Sequence, residues 1–205
     1  KANNQNYTFD AVLYATGRKA NTANIGLEHT DIATNERGAI VVNDTCESSV
    51  PGVYAVGDVN GGPQFTYVSL DDFRIVFGAL TGSGHYTLKD RKNIPYTTFL
   101  TPPLSRVGLT EEDAINQGYT VKTKEMLVAT MPRAHVNDYL KGAFKIVVDA
   151  ENDLILGATL YSQGAEELIN LIKMAMDNNI PYTYFKNQIF THPTMAENLN
   201  DLCNF

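Results

Sequence analysis

Two residues near the end of the chain could form an acid–base pair: His192, followed by Pro193, and Glu197, within THPTMAENLND at residues 191–201. An imidazole titrates near neutral pH and can shuttle protons, and a carboxylate on its second nitrogen fixes the tautomer and raises its basicity. A residue ahead of proline is extended or in a turn. Followed by a helix, that path would let Glu197 fold back onto the His192 ring. A plainer reading stands beside it. Thr194 caps the terminal helix and Glu197 takes its third position, a capping box. The two readings can hold together.

VPGVYAVGDVNGG, residues 50–62, is the second candidate. A strand ending in Gly57-Asp58 would place an acid at the carboxyl end of a parallel sheet, where ligands of such folds bind. Gly57 allows close backbone approach, and Asp58 can accept hydrogen bonds from ligand hydroxyls. The bland alternative is an ordinary strand-to-turn junction. A helix starting near Thr66 would point free N–H groups and its positive dipole end toward the same place. An acid reaching for hydroxyls beside such a helix end suits a ribityl chain and a flavin ring. Cys46 and Cys203 match no metal-ligand or C-x-x-C spacing, and His29, His85 and His135 lack companions at metal spacing. No metal site is expected.

The elements that must carry these groups change character along the chain. FDAVLYATG (9–17), GAIVVND (38–44) and GVYAVGD (52–58) read as strands, the first and last of them buried and ending in turns. YVSLDDFRIVFGAL has apolar residues at 68, 70, 73, 76, 77 and 80, the spacing of a helix with one buried stripe. HYTLKDRKNIP (85–95) is polar and ends in proline, which marks a domain boundary. Beyond it TEEDAINQG (110–118) is a short helix, with Thr110 and Asp113 placed as a capping box. YTVKTKEMLVAT (119–130), GAFKIVVDA (142–150) and LILGATLYS (154–162) are rich in strand formers, the last two joined by END as a hairpin. GAEELINLIKMAMDNN (164–179) has a helical period. The second half is therefore α+β, an antiparallel sheet backed by helices.

At 205 residues the chain can hold one large or two small domains. A net charge of −7, with only the mixed stretch LKDRK at 88–92, argues against a nucleic-acid partner. No apolar run approaches the roughly 20 residues of a membrane span, so no membrane partner is expected. Two unmatched cysteines favour a reducing, cytoplasmic setting. KANNQNYTFD has neither an initiator Met nor a signal-peptide core, so the chain is expected to begin after processing or inside a longer protein.

SVPGVYAVGDV resembles the second flavin-binding motif of the pyridine nucleotide–disulfide oxidoreductases, the two-dinucleotide flavoproteins. ATGRKANTANIGLE (15–28) resembles the segment joining their nicotinamide and flavin domains. TPPLSRVGLTEEDA (101–114) and HPTMAE resemble their C-terminal dimerisation domain, and the order and spacing of all four agree. GGPQFTYVSLDD differs from the run after Gly-Asp in lipoamide dehydrogenases and glutathione reductases. With PYTTFLTPPLSRVGLTEE and IFTHPTMAENLND it is most similar to the reactive-chlorine-resistance and mercuric-reductase-like branch. That branch is NAD(P)H-dependent, contains FAD and is associated with copper or mercury ion reduction.

The resemblance implies three parts: 1–17 ends the nicotinamide-binding domain, 18–90 is the C-terminal part of the FAD-binding domain, and 91–205 is the dimerisation domain. It implies that Asp58, with Gly57 beside it, binds the ribityl chain, and that Gln64, Phe65, Thr66 and Tyr67 line the flavin. Gly17 and Arg18 would lie near the nicotinamide nucleotide. Tyr67 could contact the flavin, contact a metal ion beside it, or simply pack. The His-Pro bond of the family is typically cis. His192 and Glu197 would then reach across a homodimer to move protons for a cysteine pair that exchanges with a small-molecule disulfide or metal ion.

The chain itself holds no G-x-G-x-x-G and no C-x₄-C. It reads as the C-terminal portion of an FAD-dependent NAD(P)H oxidoreductase, expected to bind FAD weakly alone and unable to run a dithiol cycle. The alternative is a non-catalytic homodimerisation module. Cys203 is a single thiol where mercuric reductases carry a vicinal pair, so it reads as helix packing.

Overall fold

The computed structural model describes Asn3 and residues 5–205, which divide into two compact units, Lys1–Asp90 and Arg91–Phe205. In the first unit the expected strands do not form. Residues 9–17 are irregular, with Val12, Leu13 and Tyr14 at 69%, 90% and 84% exposure. An apolar run of this kind suits a strand buried on both faces, and such a strand needs hydrogen-bonding neighbours. No described residue of this unit supplies one. Residues 38–44 and 52–58 make only isolated antiparallel bridges, Thr34 with Ile40, Val42 with Ser48 and Glu47 with Tyr54.

The expected helix does form. It is α1, Thr66–Thr81, and it stops at Gly82. Its buried side is Val68, Asp72, Ile75 and Gly78, whereas Leu70, Phe73, Phe77 and Leu80 are exposed. The single buried stripe is thus corrected: the apolar residues occupy two faces of the helix. The packed face carries small residues at its contacts, Gly78 lying against Gly84 and Ser69 against Gly57.

The second unit is α+β. Strands β1 (Tyr96–Thr98), β2 (Leu104–Gly108), β3 (Val121–Leu127), β4 (Ala143–Asp149) and β5 (Ile155–Tyr161) form one antiparallel sheet in the order β1-β2-β5-β4-β3. Strand β4 shows why one face is core: Phe144, Ile146 and Val148 are fully buried, while Lys145 between them bonds Glu111 at 2.6 Å. The α2 helix (Glu111–Asn116) opens with the expected capping box, since Thr110 Oγ1 accepts from Asp113 N–H at 3.0 Å and Asp113 Oδ2 accepts from Thr110 N–H at 3.2 Å. The END hairpin is held by Asp149, which accepts from the Asn152 amide at 2.7 Å and from Glu151 N–H at 2.9 Å. Those hydrogen bonds keep its carboxyl below the usual carboxylate range.

Four helices follow in chain order around this sheet: α3 (Pro132–Val136), α4 (Ala165–Asp177), α5 (Tyr182–Asn187) and α6 (Asn198–Leu202). The α4 helix lays Leu168, Ile169, Ile172 and Ala175 into the core against β2 and β5. Leu199, Leu202 and Cys203 complete that core from α6. Among the described residues no helix is long and apolar enough to cross a membrane.

Cys203 is buried completely, and burial pushes its thiol up to about 12, with Lys124 opposing in part. A thiolate is the reactive form, and this thiol is both unionised and inaccessible at pH 8. The expected result is no labelling of Cys203 by iodoacetamide in native protein and full labelling in denaturant, read by mass spectrometry. Native labelling would contradict the packing role.

Candidate functional sites

In the first unit, Gly57–Asn60 form a single 3-10 turn that closes when Gly61 N–H donates to Asp58 carbonyl at 3.2 Å. Gly57 has φ +72, which favours glycine, and a β-carbon there would also crowd Ser69, at 2.7 Å from its Oγ and 3.2 Å from its Cβ. The Asp58 side chain is 55% exposed, with Arg18 Nη1 3.9 Å from its Oδ2. An ion pair so exposed contributes little, so the carboxylate stays available to a ligand.

The same unit presents the start of α1. Phe65 is its N-cap and no side chain caps it, which leaves its first N–H groups to solvent or ligand. Gln64, Phe65, Thr66 and Tyr67 are all exposed, as are Gly17 and Arg18. Tyr67 does not pack inside. The residue is 66% exposed, with Arg74 over its ring: the Arg74 Cζ lies 5.2 Å from the ring centroid and Nη2 donates to the Tyr67 hydroxyl at 3.2 Å.

An available acid, an uncapped helix end, exposed aromatic rings and a glycine where a β-carbon would clash fit a ligand that combines hydroxyls, an anion and a flat ring. A flavin dinucleotide is such a ligand. The residue absent from the sequence reading is Asp72. It is 1% exposed, and its Oδ2 accepts from Gly57 N–H at 2.7 Å and from Asn60 Nδ2 at 2.9 Å. Its only signal was an acid at an inward-facing helical position.

In the second unit, Glu197 bonds His192 Nδ1 through both oxygens, at 2.9 and 3.1 Å. A carboxylate only accepts, so Nδ1 carries a hydrogen, and in the neutral ring Nε2 carries the lone pair. The imidazole is 71% exposed and the glutamate side chain 16%. A fixed acid thus orients an outward-facing base. The His192–Pro193 bond is cis, as the resemblance implies.

Half of the capping box also forms, because Glu197 N–H donates to Thr194 Oγ1 at 3.3 Å. The other half gives way to the histidine, and α6 starts later, at Asn198. Two further residues brace this segment. Asn198, buried, donates to the carbonyls of Thr194 and Met195 at 3.2 and 3.0 Å, and Asn200 donates to those of Phe185 and Gln188 at 2.6 and 2.9 Å. No group of three or more metal-ligating side chains occurs among the described residues.

Comparison with known proteins places both units. Residues 94–203 match the dimerisation domain of the pyridine nucleotide-disulphide oxidoreductases, and residues 1–72 match the pyridine nucleotide-disulphide oxidoreductase model. RclA of Escherichia coli K12, a probable pyridine nucleotide-disulfide oxidoreductase, is 49% identical over 193 residues, 94% of this chain and 44% of RclA. A mercuric reductase of Staphylococcus aureus is 35% identical over 93% of this chain and 35% of its own length. The solved structure of RclA, an HOCl-induced flavoprotein disulfide reductase, superposes with a TM-score of 0.89 at 48% identity, covering 92% of this chain and 43% of that one. The chain thus spans between a third and a half of these relatives. From the match over more than half its residues, it belongs to the pyridine nucleotide-disulphide oxidoreductases, a family dependent on FAD and NAD(P)H.

Proposed function

We propose that this chain is the part of an FAD-dependent NAD(P)H oxidoreductase that supplies part of the flavin site, the proton-transfer pair and the dimer interface. In this reading 1–17 end the nicotinamide-binding domain, 18–90 belong to the FAD-binding domain and 91–205 form the dimerisation domain. The observation that carries it is His192 oriented by Glu197 with its other nitrogen outward. FAD, when bound, accepts a hydride from NAD(P)H and passes electrons to a disulfide.

The residues of this chain do the rest. Asp58 accepts from hydroxyls of the ribityl chain, and the uncapped N–H groups at Thr66 and Tyr67 favour negative charge on the ligand. Phe65 and Tyr67 offer flat apolar surface to the ring, and Gly17 and Arg18 flank the nicotinamide nucleotide. His192 Nε2 takes a proton from a substrate-side thiol and returns it, keeping the thiolate available near neutral pH. Glu197 stabilises the imidazolium while His192 holds that proton. A pair that serves the other subunit requires a homodimer.

The substrate is a small-molecule disulfide or a metal ion, in the cytoplasm. RclA has been solved as a Cu(II) complex, and mercuric reductases are among the relatives, which supports the metal-ion arm. The test uses the full-length protein. Bound flavin absorbance is expected, together with NAD(P)H oxidation that depends on an added disulfide, Cu(II) or Hg(II). A colourless protein that oxidises no NAD(P)H would leave only a dimerisation module.

A further inference from the structure

We infer that Asp72 is a positioning residue for the flavin, locking the Asp58 turn to the start of α1; this rests on the reading of Asp58 as a ribityl ligand. A carboxylate on the packed side of a helix is costly unless hydrogen bonds replace its water. At 1% exposure Asp72 has that replacement, and the groups that provide it are informative. Its Oδ2 accepts from Gly57 N–H at 2.7 Å and from Asn60 Nδ2 at 2.9 Å, the first and last residues of the turn that contains Asp58.

The bracing spreads outward through Asn60. Its Nδ2 also reaches the Ala55 carbonyl at 3.3 Å, and its Oδ1 accepts from Gly62 N–H at 3.0 Å. Backbone bonds from Ala55 N–H to the Cys46 carbonyl and from Ile40 N–H to the Val59 carbonyl hold this segment to its neighbours, and the buried Asp72 oxygen ties both ends of the turn to α1. Asp58 sits inside this braced segment, yet its own side chain is 55% exposed. An apolar residue at position 72 would fill the same helical face but leave Gly57 N–H unanswered and the Asn60 amide with only its longer bond to the Ala55 carbonyl. Asp72 lies in the second turn of the helix that begins at Thr66. The turn cannot shift relative to that helix end unless the Asp72 bonds break. Asp72 thus sets the distance between the acid that takes ligand hydroxyls and the N–H groups that favour ligand charge.

The experiment measures FAD dissociation from the full-length enzyme by flavin fluorescence for Asp58→Ala, Asp72→Asn and the double variant, with apoenzyme melting followed alongside. Each single variant is expected to weaken FAD by about tenfold or more. The double variant is expected to be no weaker than Asp58→Ala alone, because Asp72 acts through Asp58. A purely structural Asp72 lowers apoenzyme melting and adds its loss to that of Asp58→Ala. Additive losses, or an unchanged affinity in Asp72→Asn, overturn the inference and leave the Asp58 reading intact. Unchanged affinity in Asp58→Ala removes both. Should Asp72→Asn fail to fold, Asn60→Ala at a half-buried position carries the same cycle: weaker FAD only when Asp58 is present supports the bracing, and unaltered FAD refutes it.

Discussion

In the full-length enzyme, His192→Ala lowers turnover with a disulfide or metal-ion substrate by a factor on the order of 10² to 10⁴, the usual contribution of a positioned general acid–base. One nitrogen of the His192 ring is committed to Glu197. Both Glu197 oxygens lie within 3.1 Å of Nδ1, so the imidazole cannot turn without losing a charge-assisted pair. In the proposed role the proton moves through Nε2, on an exposed ring.

Alanine removes the imidazole that takes and returns the proton, whereas the rate of flavin bleaching by NAD(P)H, read by stopped flow, stays the same. Glu197→Gln lowers turnover in the same direction and by less. Glutamine still offers an acceptor to Nδ1–H, but it no longer stabilises the imidazolium. The steady-state assay and the stopped-flow trace are to be taken on the same preparations. Unchanged substrate reduction by His192→Ala sinks the proton-transfer role.

Gly157→Ala is the second large effect, and it acts on stability. A β-carbon at this point of β5 would lie 2.1 Å from the Leu109 carbonyl oxygen and 2.6 Å from Leu109 N. Both obstacles are backbone, so no side chain can swing aside. The same stretch carries the bond from Leu109 N–H to the Leu156 carbonyl at 2.9 Å, next to the pairing of Gly108 with Gly157. Relieving the clash separates β2 from β5, the two strands onto which α4 packs. The expected loss is about 3 kcal/mol or more, in the upper range for overpacking. Urea unfolding of the full-length protein reads it, and sedimentation reads the accompanying loss of dimer. A loss below about 1 kcal/mol would show that the strands part without penalty.

Much of the second unit could be read directly. The Thr110–Asp113 capping box, the END hairpin between β4 and β5 and the apolar period of α4 all form as expected. The candidate chemistry was legible in residue types too, with His192 and Glu197 five positions apart. Strands β1 and β2 were not legible: YTT and LSRVG have little pattern of their own, and β2 gains strand character from β5 beside it, as β1 does from β2. Helices α3 and α5, at five and six residues, are too short for a helical period to show.

The sequence by itself determined what is settled within a few residues: the α2 cap, the END hairpin, the apolar period of α4 and the kinds of acid and base on offer. These rest on hydrogen bonds and periodicities between near neighbours, which residue order displays. Only the tertiary structure decided what depends on distant partners. It showed Asp72 bonded to Gly57, fifteen positions away, and Asn200 holding the His192 segment to the end of α5. It also showed Glu197 choosing the His192 ring over the capping role, and residues 9–17 staying irregular despite their strand-like apolarity. A strand or a buried acid is stable only through the groups that satisfy it, and residue order alone does not reveal which groups those are.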